Sequence, residues 1–451
     1  MSSSDTIAAI ATAPGIGAIG IVRISGPLAP IIAGQILGHS PTARYAHLAT
    51  FEDTDGHPID QGLVLFFPGP RSFTGEDVLE LHGHGGPVVL DQVLRRVLAH
   101  GARLARPGEF SERAFLNGRL DLTQAEAIAD LIASATAAQA RLAVRSLAGA
   151  FSRQVRDLAE RLTQTRVHLE ATLDFPDEEI DPDDERAIRS AIDQIAADTE
   201  ALAASARHGE LIRDGLQVVI AGPPNAGKSS LLNVLSAGDT AIVTPIAGTT
   251  RDLLRVDLQI DGLPLRLVDT AGLRPTDDPV EREGVRRAQA AIANADLLLW
   301  IEDDRGPYHP LPAIEPPPAN CVRIRNKIDL TGRSPRLDRA PQPSQKPPET
   351  EIALSVRSGD GLELLRRHIK DSADYDTEAP GDFSARRRHL EALRITLSHL
   401  HAAAQSAATA ATPDLIAEDL RQAQRALGEI TGEISADDLL GRIFADFCIG
   451  K

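Results

Sequence analysis

The chain has little cysteine, no long apolar run and no surplus of positive charge. Its 451 residues include only Cys321 and Cys448, too few for a disulfide framework, so a reducing cytoplasm is expected. No apolar stretch approaches the ~20 residues that span a bilayer. The opening Met1-Ser-Ser-Ser-Asp5 lacks the basic n-region of a secretory signal and the arginines of a transit peptide. The tail Cys448-Ile-Gly-Lys451 places a cysteine where a prenylation signal would, but Gly450 and the terminal lysine do not fit that signal. Acidic residues outnumber basic ones, 64 to 47, giving a net charge of −17. A broad grip on nucleic acid needs a basic face, so any RNA contact is expected to use a local patch or a partner's surface.

What is there is a phosphate-binding loop. Gly222-Pro-Pro-Asn225-Ala226-Gly227-Lys228-Ser229 follows the apolar run Val218-Val-Ile220 and opens a helix-like segment from Ser230 to Leu235. Strand, glycine loop, Lys-Ser and helix are the context the motif requires. Glycines let backbone N–H groups curl around phosphate oxygens, and the helix N-terminus adds its unpaired donors. Lys228 is expected to reach the β- and γ-phosphates, and Ser229 to bind Mg²⁺.

Further motifs follow in the order a guanine-nucleotide domain needs. Gly248-Thr249-Thr250 lies in a Gly/Thr loop that begins near Thr244, and Thr250 can complete the Mg²⁺ shell. Asp269-Thr270-Ala271-Gly272 ends the strand-like run Leu265–Val268; Asp269 would hold Mg²⁺ through water and Gly272 would sense the γ-phosphate. Asn326-Lys327-Ile328-Asp329 ends the run Val322–Arg325. A carboxylate at Asp329 can accept both edge hydrogens of guanine, a donor pair adenine lacks, and a site left with that acceptor unpaired discriminates by roughly 10⁴-fold. Ser355-Val356-Arg357 closes the set as a base-side loop. Five motifs in order over one domain length identify a GTPase.

The length corresponds to about three domains. Residues 1–118 read as α+β, with strands at Ile19–Ile24 and Leu63–Phe67 and a helix at Val88–Leu98. Residues 119–210 are alanine-rich and helical, with stripes at Ile128, Leu131, Ile132, Ala135 and at Val155, Leu158, Leu162, Leu169. Helical character returns over 376–451, with stripes at Leu390, Leu393, Leu397, Leu400 and at Ile416, Leu420, Ala423, Leu427, Ile430, the second capped by Thr412-Pro413. The simplest reading is one helical bundle into which a GTPase domain, residues 211–375, is inserted. The acidic run Asp177–Glu185 reads as a solvated loop leading into a helix N-terminus. Two Pro-rich segments, Gly306–Pro318 and Ser334–Pro348, read as surface loops.

One expected group is missing. The glutamine that orients the attacking water in small signalling GTPases is replaced by Leu273. Glu281, in a polar loop, is a candidate for that role, and equally a solvated surface residue. Charge neutralisation needs a source too. Arg251, Arg255 or Arg274 could act as an internal arginine finger. A monovalent cation could act instead, held by the Asn225 amide oxygen and carbonyls of the Thr244–Thr250 loop.

Several runs carry a family resemblance. They are Gly20-Ile-Val-Arg23-Ile-Ser-Gly26, Phe73-Thr-Gly-Glu-Asp-Val-Leu-Glu80-Leu, Arg106-Pro-Gly-Glu-Phe-Ser-Glu-Arg-Ala-Phe-Leu-Asn117, Leu173-Asp-Phe-Pro-Asp-Glu-Glu179, Thr244-Pro-Ile-Ala-Gly-Thr-Thr-Arg-Asp252 and Phe447-Cys-Ile-Gly-Lys451. From end to end the chain resembles the bacterial and organellar tRNA modification GTPases of the MnmE (TrmE) family. The resemblance implies a multidomain α/β and all-α fold. Its parts are an α+β folate-binding and dimerising N-terminal domain, a helical domain and an inserted Ras-like P-loop GTPase domain with a mixed, mostly parallel sheet. It implies a homodimer, a heterotetramer with an FAD-containing MnmG-type protein, and tRNA bound through that complex. The implied reaction adds an aminomethyl or carboxymethylaminomethyl group to C5 of the wobble uridine. The carbon comes from a tetrahydrofolate derivative, 5-formyl- or methylene-tetrahydrofolate, and GTP hydrolysis cycles the G domains.

The resemblance also implies site residues. K⁺ would be held by Asn225, Thr244, Ile246 and Thr249, and Glu281 would orient the water. Nucleotide would touch Asn225 to Ser230, Thr244, Thr249, Thr250, Asp269 to Gly272, Asn326, Lys327, Asp329 and Ser355 to Arg357. Folate would touch Arg23, Glu80, Arg119 and Lys451. Many relatives carry lysine at the Arg119 position; a guanidinium keeps the charge and changes the geometry. Cys448 has an implied role in modification, against the plainer reading of a small buried thiol. A competing class, a ribosome-assembly or signalling switch without modification chemistry, would need a basic RNA-binding appendage that this acidic chain does not show.

Overall fold

The computed structural model of the chain describes residues 5–173, 182–238, 254–269, 286, 289–309, 320–339, 350–373, 375, 382–409, 413–433, 443–444, 447 and 450. The first elements are β1 (Ile7–Ile10), β2 (Gly17–Ser25), α1 (Ala29–Leu37), β3 (His47–Glu52), β4 (Pro58–Phe67), β5 (Val78–Gly85), α2 (Pro87–Ala99) and β6 (Arg103–Leu104). Helices follow: α3 (Glu109–Leu116), α4 (Leu122–Ala133), α5 (Ala137–Leu147), α6 (Ala150–Leu173) and α7 (Pro182–Asp214). Next come β7 (Leu216–Ala221), α8 (Lys228–Gly238), β8 (Leu254–Ile260), β9 (Leu263–Asp269), β10 (Leu297–Asp303), β11 (Cys321–Asn326), β12 (Arg336–Arg339) and β13 (Thr350–Leu354). The last are α9 (Leu362–Ser372), α10 (Arg387–Ala408) and α11 (Pro413–Thr431). The chain divides into two compact units, residues 1–133, 144–200 and 391–451 in one, 134–143 and 201–390 in the other.

In the first unit a six-stranded sheet runs β3-β4-β5-β2-β1-β6, antiparallel except for β1 with β6. Side chains alternate across a strand, so one face receives every second residue. Val22, Ile24, Val64, Phe66, Leu79 and Leu81 point to one core with Ile32 of α1 and Leu90, Val93 and Val97 of α2. The intervening residues Arg23, Glu80 and His82 therefore lie on the opposite face. Part of that face is closed by Phe110 of α3, packed with Ile7 and Ala9.

The helices of this unit join distant parts of the sequence. Arg166 of α6 donates to Gln424 Oε1 of α11 at 2.6 Å, and Gln424 Nε2 donates to Thr163 Oγ1 at 2.8 Å. The stripe Ile416, Leu420, Ala423, Leu427 and Ile430 is buried, as is the α6 stripe Val155, Leu158, Leu162 and Leu169. The stripe expected from Ile128 is corrected. α4 ends at Ala133, leaving Ala135 outside it, and Ile132 is 45% exposed. The helix buries its first turns instead, through Leu122 and Ala125 against Phe444 and Phe447. Asp183, Asp184 and Glu185 occupy the first turn of α7, where negative charge faces the helix's positive end. Thr412 and residues 174–181 lie outside the described residues.

In the second unit a seven-stranded sheet runs β12-β13-β11-β10-β7-β9-β8. Its five central strands are parallel and both edge strands antiparallel. Central parallel strands are covered on both faces and read as unbroken apolar runs. Val218, Ile220, Leu297, Leu299, Ile301, Val322 and Ile324 enter one core with Leu231 of α8 and Leu365 of α9. Val219, Ala221, Leu298 and Trp300 enter the other. The Pro-rich segment from Ser334 is corrected from loop to edge strand over Arg336–Arg339, paired with β13. Proline is tolerated beside an edge strand, which needs ladder donors on one side only. The described elements bear out a multidomain chain with long helices and mixed sheets. Among the described residues no helix is long and apolar enough to cross a membrane.

Candidate nucleotide and ligand sites

β7 ends at Ala221 and α8 begins at Lys228, so residues 222–227 form a short loop at the carboxyl end of a central parallel strand. Ligands of open α/β sheets bind at that end. Two glycines here have no room for a side chain. A Cβ on Gly222, at φ +145°, would meet the Ile301 carbonyl at 2.1 Å. One on Gly227, at φ +107°, would lie 2.3 Å from Asn326 Nδ2. Asn225 between them has φ +61°, a left-handed conformation asparagine tolerates. Lys228 Nζ donates to the carbonyls of Gly222 and Pro223 at 3.0 and 2.9 Å, so its ammonium caps the loop. Ser229 and Ser230 are exposed at the start of α8.

Asn326 ties the loop to the turns at Ile328–Leu330 and after β13. Its Nδ2 donates to Ala226 O at 2.8 Å, while its Oδ1 accepts from Lys327 N at 2.8 Å and Val356 N at 3.0 Å. Lys327 Nζ bonds the Asn225 carbonyl at 2.7 Å and Asp303 at 2.8 Å. Ser355 Oγ donates to Asp329 Oδ1 at 2.6 Å, and Arg357 is exposed beside them. Asp303 also accepts from Arg305, at 3.0 and 2.8 Å; these bonds, with the Lys327 ammonium, hold its carboxyl well below the usual range. Glu302, fully buried, would be raised by burial, but the His309 amide, Arg323 and Trp300 outweigh that and lower it.

The structure therefore brings together Asn225, Ala226, Gly227, Lys228, Ser229, Ser230, Asn326, Lys327, Asp329, Ser355, Val356 and Arg357. Asp269 closes β9, and nothing is described of its side chain. Thr244, Ile246, Thr249, Thr250, Thr270, Ala271, Gly272, Glu281, Cys448 and Lys451 lie outside the described residues. The glycine cradle, the ammonium over it and the helix start suit a phosphate chain with its Mg²⁺. Sequence reasoning missed Asp303 and Asp304. Their signal was available: carboxylates ending the apolar run Leu297–Ile301 at the ligand edge of the sheet.

In the first unit Arg23 and Glu80 are directly opposed across β2 and β5, with Arg23 Nε donating to Glu80 Oε1 at 2.9 Å. His82 Nε2 lies 3.0 Å from the other Glu80 oxygen. The guanidinium lies over Phe73 at 5.5 Å and Phe110 at 5.9 Å, and its Nη1 is 3.5 Å from Gly450 O. Arg119 is exposed, its stem beside Gly75. A charged pair with aromatic neighbours suits a flat heterocycle carrying both donors and acceptors. Nearby, Arg103 and Arg113 bond Glu109 on α3. Burial would raise Glu109, but the Arg103 bonds, the Arg106 amide and Arg113 outweigh it and hold the carboxyl down at about 2.

Comparison with known proteins gives a consistent result. A family model described as the MnmE helical domain matches residues 122–448, and one described as the GTP-binding protein TrmE N-terminus matches residues 6–119. The tRNA modification GTPase MnmE of Stutzerimonas stutzeri is 56% identical over 455 residues, covering 99% of both chains. Its counterpart in Pseudomonas syringae pv. tomato is 54% identical, and that of Ectopseudomonas mendocina 53%, each at 99% coverage of both chains. Among solved structures, Aquifex aeolicus Era bound to GDP and aluminium fluoride matches at 24% identity and a TM-score of 0.26, over 41% of this chain and 66% of that one.

Proposed function

Because the chain belongs to the MnmE family of tRNA modification GTPases, we propose that it is the GTP-hydrolysing component of a folate-dependent complex acting on tRNA. The complex would add an aminomethyl or carboxymethylaminomethyl group to C5 of the wobble uridine. The observation that supports the nucleotide reading is the bonding of Asn326 and Lys327 to the 222–227 loop, which brings the Asn326–Asp329 run against the glycine loop.

The proposed plan is a folate-binding and dimerising domain over 1–118, a helical domain over 119–210 and 376–451, and a Ras-like P-loop GTPase domain inserted at 211–375. In that domain Lys228 and the loop amides would hold phosphate oxygens, Ser229 and Thr250 would hold Mg²⁺, and Asp329 would read guanine. Asn225, with oxygens of Thr244, Ile246 and Thr249, would hold K⁺, which when bound supplies the positive charge an arginine finger supplies elsewhere. Glu281 would orient the attacking water, since Leu273 cannot.

In the N-terminal domain Arg23 and Glu80, with Arg119 and Lys451, would hold a reduced folate, 5-formyl- or methylene-tetrahydrofolate. The pairing of Arg23 with Glu80 between Phe73 and Phe110 supports that reading. Cys448 is proposed to act in modification. The partners are a second copy of the chain, an FAD-containing MnmG-type protein and tRNA, in the cytoplasm. The deciding experiment is nucleoside analysis of tRNA from cells lacking the protein. Loss of a C5-substituted wobble uridine is expected; an unchanged nucleoside profile overturns the reading.

A further inference from the structure

Two adjacent carboxylates, the last residue of β10 and the one after it, grip opposite ends of one turn. Asp303 holds Lys327 at the start of the Ile328–Leu330 turn. Asp304 holds its far end. Thr331 Oγ1 donates to Asp304 Oδ2 at 2.6 Å, and Arg333 Nη1 donates to Asp304 Oδ1 at 2.9 Å. The Asp304 amide donates to the Asn326 carbonyl at 2.8 Å. Arg325 adds Nε to Asp304 Oδ1 at 3.3 Å and anchors the group inward through Glu302 at 3.1 Å. The Asp304 side chain is only 7% exposed although it opens the loop after β10. Its partners come from β11 and from the segment after the turn, with Asp329 between them.

We propose that Asp304 is a positioning residue for base specificity, fixing the turn so that the Asp329 carboxylate meets both edge hydrogens of guanine. The proposal rests on the reading of Asp329 as the base-recognition group. A carboxylate must lie in the plane of the base to accept two parallel hydrogen bonds, a geometric demand a single bond does not make. Ser355 fixes one Asp329 oxygen, at 2.6 Å. That bond and the Lys327 anchor hold the near side of the turn. Asp304 holds its far side by bonding the residues that follow the turn.

The test compares GDP with IDP, whose hypoxanthine base keeps the N1–H and lacks the 2-amino group. In the full-length protein Asp304→Ala should lower the GDP:IDP affinity ratio about tenfold, the worth of one charge-assisted hydrogen bond. A loss of general stability would weaken both nucleotides and leave the ratio unmoved. Thr331→Val deletes one of the bonds at an exposed position and should lower the ratio in the same direction, while Thr331→Ser should restore it. That pair carries the test if Asp304→Ala does not fold. A wild-type ratio in Thr331→Val and in every folded Asp304 variant overturns the proposal. A wild-type protein that binds GDP and IDP equally fails the Asp329 reading itself, a separate outcome.

Discussion

Lys327 Nζ donates to the main-chain carbonyl of Asn225 at 2.7 Å, across 102 positions of sequence. The bond joins the turn that carries Asp329 to the loop that ends at Lys228. Lys327 itself sits at φ +70°, a conformation a side chain rarely adopts without support. The support is visible in Asn326 below it and Asp303 beside it. The 222–227 loop and the turn after Asn326 are thus one braced piece, so changes at one end should be felt at the other.

Asp329→Asn should move preference from guanine to xanthine nucleotides, because an amide presents a donor where the carboxylate presents an acceptor. Calorimetry with GDP, XDP and ADP checks it. Wild-type protein that binds ADP as tightly as GDP would sink the base assignment.

Arg23→Ala should weaken 5-formyltetrahydrofolate binding by tenfold or more, since it leaves the Glu80 carboxylate without its 2.9 Å partner. GTP affinity should stay within about twofold, as the proposed nucleotide residues belong to the other compact unit. Equal loss of both ligands in equilibrium binding would instead indicate misfolding.

Hydrolysis should be faster in KCl than in NaCl at equal ionic strength, because Na⁺ is too small for the proposed cage of neutral oxygens around Asn225. Glu281→Ala should abolish turnover and spare GTP affinity, and Asn225→Ala should erase the potassium response. An internal arginine predicts the opposite pattern, no cation selectivity and collapse on replacing Arg251, Arg255 or Arg274. Equal steady-state rates in the two salts would reject the potassium mechanism.

Acid should loosen the N-terminal unit at Glu109. Its carboxyl sits at about 2 in the fold against an ordinary value of 4.5. Between those values the unfolded chain binds the proton and the folded chain does not, so this contribution is complete above pH 4.5 and disappears as pH falls toward 2. The two values correspond to about 3 kcal/mol. Glu109→Gln should flatten the fall in urea midpoint between pH 5 and pH 3, and an unchanged slope would count against the ion cluster as its source.

Much of this was legible because periodicity reports burial. Val218 to Ile220 and Val322 to Arg325 became strands, and the Ile416–Ile430 stripe became a buried helix face. The 222–229 and 326–329 motifs were readable since each is contiguous. Contacts between separated side chains were not. Nothing local says that Asp304 meets Thr331, or that Gln424 meets Thr163. Ala135 misled because four apolar residues at helix spacing say nothing of where the helix stops. β12 was hidden by flanking prolines, which suggest a loop although an edge strand accepts them equally.

The pairing of α6 with α11 also sets an order of events during synthesis. The stripe of Leu158, Leu162 and Leu169 leaves the ribosome long before Gln424 exists to bond Thr163 and Arg166. At elongation speeds of about 5–20 residues per second, the intervening chain takes on the order of ten to fifty seconds to emerge. Through that interval an apolar helix face waits without its companion, while the whole seven-stranded sheet is translated and can collapse first. A nascent chain halted within that sheet should therefore be the form of this protein most in need of a chaperone.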